Sequence, residues 1–134
     1  MRKGRTVLEA KRYGIYSCRQ DETLLGAAQT IVSKDISALV VVDNDDSLAG
    51  VITRTDLLRA CLESEDWVDQ PVTDYMSTDV VTVDPHTLLK QVAELLLEHK
   101  IHRVVVVREM DGKQRPIAVV SNGDFLYHMV KEVG

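Results

Sequence analysis

What most constrains this chain is that it is written twice. GVITRTDLL at residues 50–58 returns as AVVSNGDFL at 118–126, and each copy closes a longer repeated line. In the first half TLLGAAQTIVSKD, ISALVVVD, a polar NDDS and LAGVITRTDLLRACLE follow one another. In the second half their counterparts are TLLKQVAELLLEHK, IHRVVVVRE, MDGKQ and RPIAVVSNGDFLYHMVKE. The offset is about 64 at Thr23/Thr87, 65 at Val42/Val107 and 68 at Asp56/Asp124. That drift fits one residue of difference in the helix and three more residues in the hairpin loop. A duplication of this length limits the chain to two copies of one small supersecondary unit.

Each half predicts the order β-α-β-β-α. Leu24, Ala28, Ile31 and Val32 recur at helical spacing, as do Leu88, Val92, Leu95 and Leu96. The runs ALVVV and VVVV are β-branched and too short for helices, and DNDDS and MDGK carry turn chemistry between them. Leu57, Leu58, Cys61 and Leu62 mark one apolar face on the first closing helix; Leu126, Met129, Val130 and Val133 mark its counterpart. Either face can serve the core of the chain or a partner. One half alone leaves too much apolar sheet uncovered, so an α+β protein with the two halves packed sheet to sheet is expected. The boundaries read as an arm over 1–14, a first repeat over 15–66, a connector over 67–79 and a second repeat over 80–134. Pro71 breaks any helix in the acidic stretch ESEDWVDQPVTDYMSTD, and Trp67 and Met76 are expected to pin it to the core.

Composition narrows the function. With 45% hydrophobic residues but only 4% aromatics, the core must be built from Val, Leu, Ile and Ala. A net charge of -5 disfavours general attraction to nucleic acid, although MRKGR, AKRYG, Tyr13 and Tyr16 could form a short basic arm with stacking faces. No apolar run reaches membrane length and the start lacks the apolar segment of a signal peptide, so a cytoplasmic protein is expected. Cys18 and Cys61 have no metal-ligand spacing and read as apolar filler in a reducing compartment. His86, His99, His102 and His128 are scattered, and EHKIH, with two histidines in a charged turn, is a poor metal site. No nucleophile–base or acid–base grouping stands out, so the expectation is a protein that is not an enzyme, with no metal and no required cofactor.

Thr53-x-x-Asp56 and Ser121-x-x-Asp124 each follow an apolar strand and open a helix. A helix cap alone accounts for either copy, since the hydroxyl takes a free N–H and the carboxylate suits the positive helix end. The same helix start can hold a phosphate, and an acidic side chain there can accept bonds from ribose hydroxyls. Doubling the junction favours the second use.

The duplicated βαββα unit, with a strand ending G-V-I-T-x-x-D-L-L and a connector VTDYMSTDVVTVDP, resembles a tandem cystathionine-β-synthase (CBS) domain pair, or Bateman module, over roughly residues 15 to 133. That resemblance implies a pseudo-twofold arrangement with up to two clefts for adenosine-containing ligands: AMP, ADP, ATP or S-adenosylmethionine. By position, Asp56 and Asp124 would take ribose hydroxyls, with Thr53, Thr55 and Ser121 near ribose or phosphate. Val51 and Val119 would flank the adenine. Val81 and Thr82 would complete one cleft and Cys18 the other. His102 and Arg103 occupy positions where phosphate-binding repeats carry basic residues; the guanidinium can grip phosphate oxygens in pairs. Ser37 and Ala38 stand there in the first half and bring no charge, which Arg54 would have to supply. Ala118 replaces Gly50, and Gly123 replaces the hydroxyl of Thr55. The implied function is an adenine-nucleotide sensor acting as a homodimer on a separate effector protein, with unequal sites. The alternative is a dimerising scaffold whose clefts bind nothing.

Overall fold

The computed structural model describes residues 5–7 and 15–133, and the chain divides into two units: one spans Tyr16–Val80, and the other joins residues 81–133 to residues 5–7 and Ile15. The first unit contains β1 (Ser17–Arg19), α1 (Leu24–Lys34), β2 (Ala38–Val42), β3 (Leu48–Thr53) and α2 (Arg54–Glu63). The second contains β4 (Thr82–Val83), α3 (Leu89–Glu98), β5 (Arg103–Met110), β6 (Lys113–Ser121) and α4 (Asn122–Val133). Each unit is therefore a βαββα repeat, and the protein is α+β. Its sheets run β1-β2-β3 and β4-β5-β6, a hairpin with the first strand parallel to the middle one.

The ladders fix the correspondence between repeats. Ser17 pairs with Val40 as Thr82 pairs with Val105, and Ala38 pairs with Thr53 as Arg103 pairs with Ser121. The offset is thus constant at 65 through the middle strand and becomes 68 only after the hairpin. The expected one-residue difference in the helix is corrected. Leu24, Ala27 and Ile31 are buried on α1 where Leu89, Val92 and Leu96 are buried on α3. Leu89, not Leu88, fills the place of Leu24, so the two TLL strings are one residue out of step. Packing aligns the buried stripe rather than the letters.

Both helices stop the same way. Asp35 and Lys100 take left-handed backbone with φ 50° and 54°. Asp35 N–H donates to Val32 O at 3.3 Å and Ile36 N–H to Ile31 O at 3.1 Å; Lys100 N–H donates to Leu97 O at 3.3 Å and Ile101 N–H to Leu96 O at 3.0 Å. Ile36 and Ile101 then fold onto their cores, the apolar contact that accompanies this cap. Beside the cap, Val32 and Leu97 stay outside at 79% and 81% exposure, which removes Val32 from the predicted stripe.

On the helix side of the first sheet, Leu39, Val41 and Ile52 pack with Leu24, Ile31 and Leu57; on the second, Val104, Val106 and Val120 pack with Val92, Leu96 and Phe125. The closing helices give little to these cores. Only Leu57 and Ala60 of α2 are buried, and Phe125 is the buried apolar residue of α4 among those described. Leu58, Cys61, Leu62, Leu126, Met129, Val130 and Val133 are exposed, Leu62 at 86% and Val133 at 92%. The expectation of Cys61 as buried filler is corrected with them, because it sits on the outward stripe of α2.

The connector belongs to the first unit. Leu24 N–H donates to Gln70 O and Val72 N–H to Glu22 O, both at 2.8 Å, while Val72 is buried and Trp67 and Met76 pack on the core. Further on, Val51 and Ser77 exchange backbone bonds at 3.0 and 2.9 Å, so the connector covers the outer edge of β3. In the second unit, Val7 enters the core, its N–H donates to Thr87 O at 3.0 Å, and Leu89 N–H donates to Arg5 O at 2.9 Å. The remaining basic residues of the start (Arg2, Lys3, Lys11 and Arg12) and Tyr13 lie outside the described residues. No helix among the described residues is long and apolar enough to cross a membrane.

Candidate functional site

Each junction folds into the reciprocal cap that its spacing predicts. In the first repeat Asp56 N–H donates to Thr53 Oγ1 at 3.3 Å, and Asp56 Oδ2 accepts from both Thr53 N–H and Thr53 Oγ1 at 2.9 Å. In the second, Asp124 N–H donates to Ser121 Oγ at 3.2 Å, and Asp124 Oδ2 accepts from Ser121 N–H at 2.8 Å and from Ser121 Oγ at 3.1 Å. The carboxylate is thereby fixed through one oxygen at the positive end of a helix. Capping and ligand binding are not rivals here, because a carboxylate oxygen has two lone-pair directions and the other oxygen is not part of the cap.

The corners differ in what surrounds that carboxylate. Asp56 Oδ1 accepts from Arg59 Nη1 at 3.3 Å; in the second repeat the corresponding residue is the uncharged Tyr127. Arg54, at the first turn of α2, donates its backbone N–H to Ser37 O at 3.2 Å and aims its guanidinium at Asp35 Oδ1, 3.4 Å away. Both side chains are more than half exposed, so this pair is worth a fraction of a kcal/mol, about 0.2–1 at most. In the second repeat Asn122 N–H donates to His102 O at 2.9 Å, its side-chain amide lies 3.4 Å from His102 Nδ1, and Lys100 stands where Asp35 stood. Arg103 is directly opposite Ser121 in the ladder, where the first repeat places Ala38 opposite Thr53. The second corner therefore has His102 and Arg103 beside it, with Lys100 at the position that corresponds to Asp35, while the first offsets Arg54 with Asp35.

Alternation along the ladders sorts the remaining predicted residues by face. Val51, Thr53, Ala38 and Ser17 share the face of the first sheet away from its helices; Val119, Ser121, Arg103 and Thr82 share that face of the second. Val81 and Cys18 do not join them: each is half-buried and packs against the apolar core of its own unit. The ladder places Ser17, not Cys18, where Thr82 sits, and a one-residue difference turns a side chain to the other face. Burial, with help from Glu22, pushes the Cys18 thiol up to about 11.

Of two departures between the repeats, one has a physical cause. A methyl on Gly50 would stand 2.6 Å from Ser77 O and 2.9 Å from Met76 Sδ, so the glycine is required by the close approach of the connector. Gly123 is open: an added Cβ would sit 3.6 Å from Ser121 Oγ, an ordinary contact. It leaves the second residue of α4 bare where Thr55 places a side chain. The sequence reading missed Ser17, Lys100 and Arg59; the strand register would have found Ser17, and a charge comparison at matched positions would have found Lys100.

Two βαββα repeats with a capped carboxylate at each strand-to-helix corner define a tandem domain pair. A family model described as the CBS domain matches residues 10–63 and again 72–131, and the chain belongs to that family. The inosine-5'-monophosphate dehydrogenase of Nitrosopumilus maritimus is 33% identical over 107 residues, covering 75% of this chain and 21% of the dehydrogenase. The chain spans less than half the length of the first curated relatives it matches. Among solved structures, a putative acetoin utilization protein from Vibrio cholerae superimposes with a TM-score of 0.85 at 25% identity, over 96% of this chain and 92% of that one. CBSX2, solved in complex with AMP, gives a TM-score of 0.82 at 25% identity, over 98% of this chain and all of that one.

Proposed function

We propose that this protein is a regulatory module that binds an adenosine-containing ligand at its strand-to-helix corners and signals through a dimer or partner equilibrium. The observation that carries the reading is the doubled corner: a carboxylate locked by its cap, beside a valine on the sheet face away from the helices, in both repeats. The fixed carboxylate is a preformed acceptor for ribose hydroxyls, and the helix start beside it suits an anion. The whole-length likeness to a domain pair solved with AMP supports the same ligand class.

The two corners take different ligands. Lys100 and Arg103 bring positive charge to the Asp124 corner, with the His102 imidazole beside them, which suits AMP, ADP or ATP. At the Asp56 corner Arg59 competes for the carboxylate and Asp35 offsets Arg54, so that corner is weaker or takes a neutral adenosine. The exposed apolar faces of α2 and α4 support a homodimer, with ligand shifting its arrangement only by differential affinity. The module acts in the cytoplasm, on a separate effector and without catalysis of its own. The dehydrogenase likeness covers too little of that enzyme to carry its activity here.

Thermal unfolding with AMP, ADP, ATP and S-adenosylmethionine tests this. A ligand at about a hundred times its Kd adds roughly 2.7 kcal/mol, which raises Tm by several degrees for a chain of this size. Asp124→Asn is expected to abolish the shift with the phosphorylated ligands, and Asp56→Asn to leave most of it. No shift with any of the four would leave the scaffold reading.

A further inference from the structure

The second repeat carries a feature that the first lacks. Its hairpin is longer by the pairs Arg108↔Arg115, Glu109↔Gln114 and Met110↔Lys113. Asp111 and Gly112, with φ 53° and 76°, close it as a two-residue turn, in which the flanking Met110–Lys113 pair exchanges the hydrogen bonds. Alternation then points the N–H and C=O of Glu109 away from β6. On that side β4 ends at Val83, opposite Val106, and among the described residues no strand or bridge pairs with β5 beyond it.

This unpaired edge borders a groove of about 1130 Å³ lined by residues 82–87, by α3 and by residues 107–110 of β5. The groove is acidic. Glu94 and Glu98 come from one face of α3 and Glu109 from β5, and among the described residues no cation forms an ion pair with any of the three. Asp84 is also in the lining, and its Oδ1 accepts from His86 N–H at 2.7 Å. Arg108 and His86 are the basic groups of the lining.

We propose that this groove takes an extended, lysine- or arginine-rich polypeptide segment as an added strand on β5. Unpaired strand groups are a template for main-chain pairing, and the carboxylates on both sides select a basic sequence and repel an acidic one. The partner is a polypeptide rather than a polyanion, and the contact is separate from the strand-to-helix corners, which lie at the other end of β5.

The test is an NMR titration of the full chain with Ac-Lys-Thr-Lys-Val-Lys-Thr-Lys-NH2. Saturable amide shifts are expected at residues 107–110 and along 91–98. Methylating every backbone nitrogen of the peptide keeps its charge but removes its donors, and is expected to weaken binding by about tenfold or more, the worth of one to two hydrogen bonds. The Glu94→Gln/Glu98→Gln double variant, at exposed positions that leave the fold intact, is expected to weaken it by a similar factor, and a peptide with glutamate for lysine not to bind. The proposal is overturned if shifts are absent, fail to saturate or lie elsewhere. Equal binding of the methylated peptide overturns it too, since that is charge attraction without a strand.

Discussion

The two strand-to-helix corners share one cap and differ in nearly everything around it. Both hold an aspartate by the same three bonds within a few tenths of an ångström. Yet one corner has Arg54, Asp35 and Arg59 around it, and the other His102 and Arg103. The edges differ as well: β3 is covered by the connector at Ser77, which demands Gly50, whereas the matching position in β6 is Ala118. The two repeats keep the cap in common and differ in the charges around it.

The largest expected effect tests the edge difference. Gly50→Ala should cost about 2–3 kcal/mol, because backbone and a core methionine must move, while Ala118→Gly should cost about 1; denaturant midpoints separate the two. A more equal pair tests the shared cap. Thr53→Ala and Ser121→Ala should each cost about 1 kcal/mol, and a clear inequality would mean that one cap is redundant. Smaller again, and of opposite sign, Asp35→Gly and Lys100→Gly should each add about 0.5–1 kcal/mol by relieving left-handed backbone.

The smallest effect separates the thiols. Exposed Cys61 should be alkylated well before Cys18 at pH 8, because burial keeps the Cys18 thiol protonated up to about 11. The linked stability change follows the same sign. Above pH 9 the unfolded thiol ionises first and the native one does not, so stability falls modestly between about 9 and 11. Removal of that slope in Cys18→Ser would assign it to this residue.

The repeat, the element order and both caps were legible in the chain, because period, β-branching and S/T-x-x-D are local signals. Register was not. Matching letters sets Cys18 opposite Thr82 and Leu24 opposite Leu88, whereas the ladders and buried stripes set Ser17 opposite Thr82 and Leu24 opposite Leu89. Nor could periodicity tell core from surface: Leu58, Leu62, Met129 and Val133 look like core positions on a wheel, and only the packing of Leu57, Ala60 and Phe125 shows which side faces inward. Arg59 and Lys100 were invisible because their meaning lies in which carboxylate or corner they face.

The pairing of residues 5–7 with Thr87–Leu89 has a consequence for how the chain is made. The first repeat is an insertion within the second, which starts before it and finishes after it. During synthesis the inserted unit emerges whole and can close at once, while Val7 must wait for a partner near residue 87 to leave the ribosome. Cutting the gene between the repeats would not give two equal halves. The piece beginning at residue 81 would lack Val7 and start life with a hole in its core.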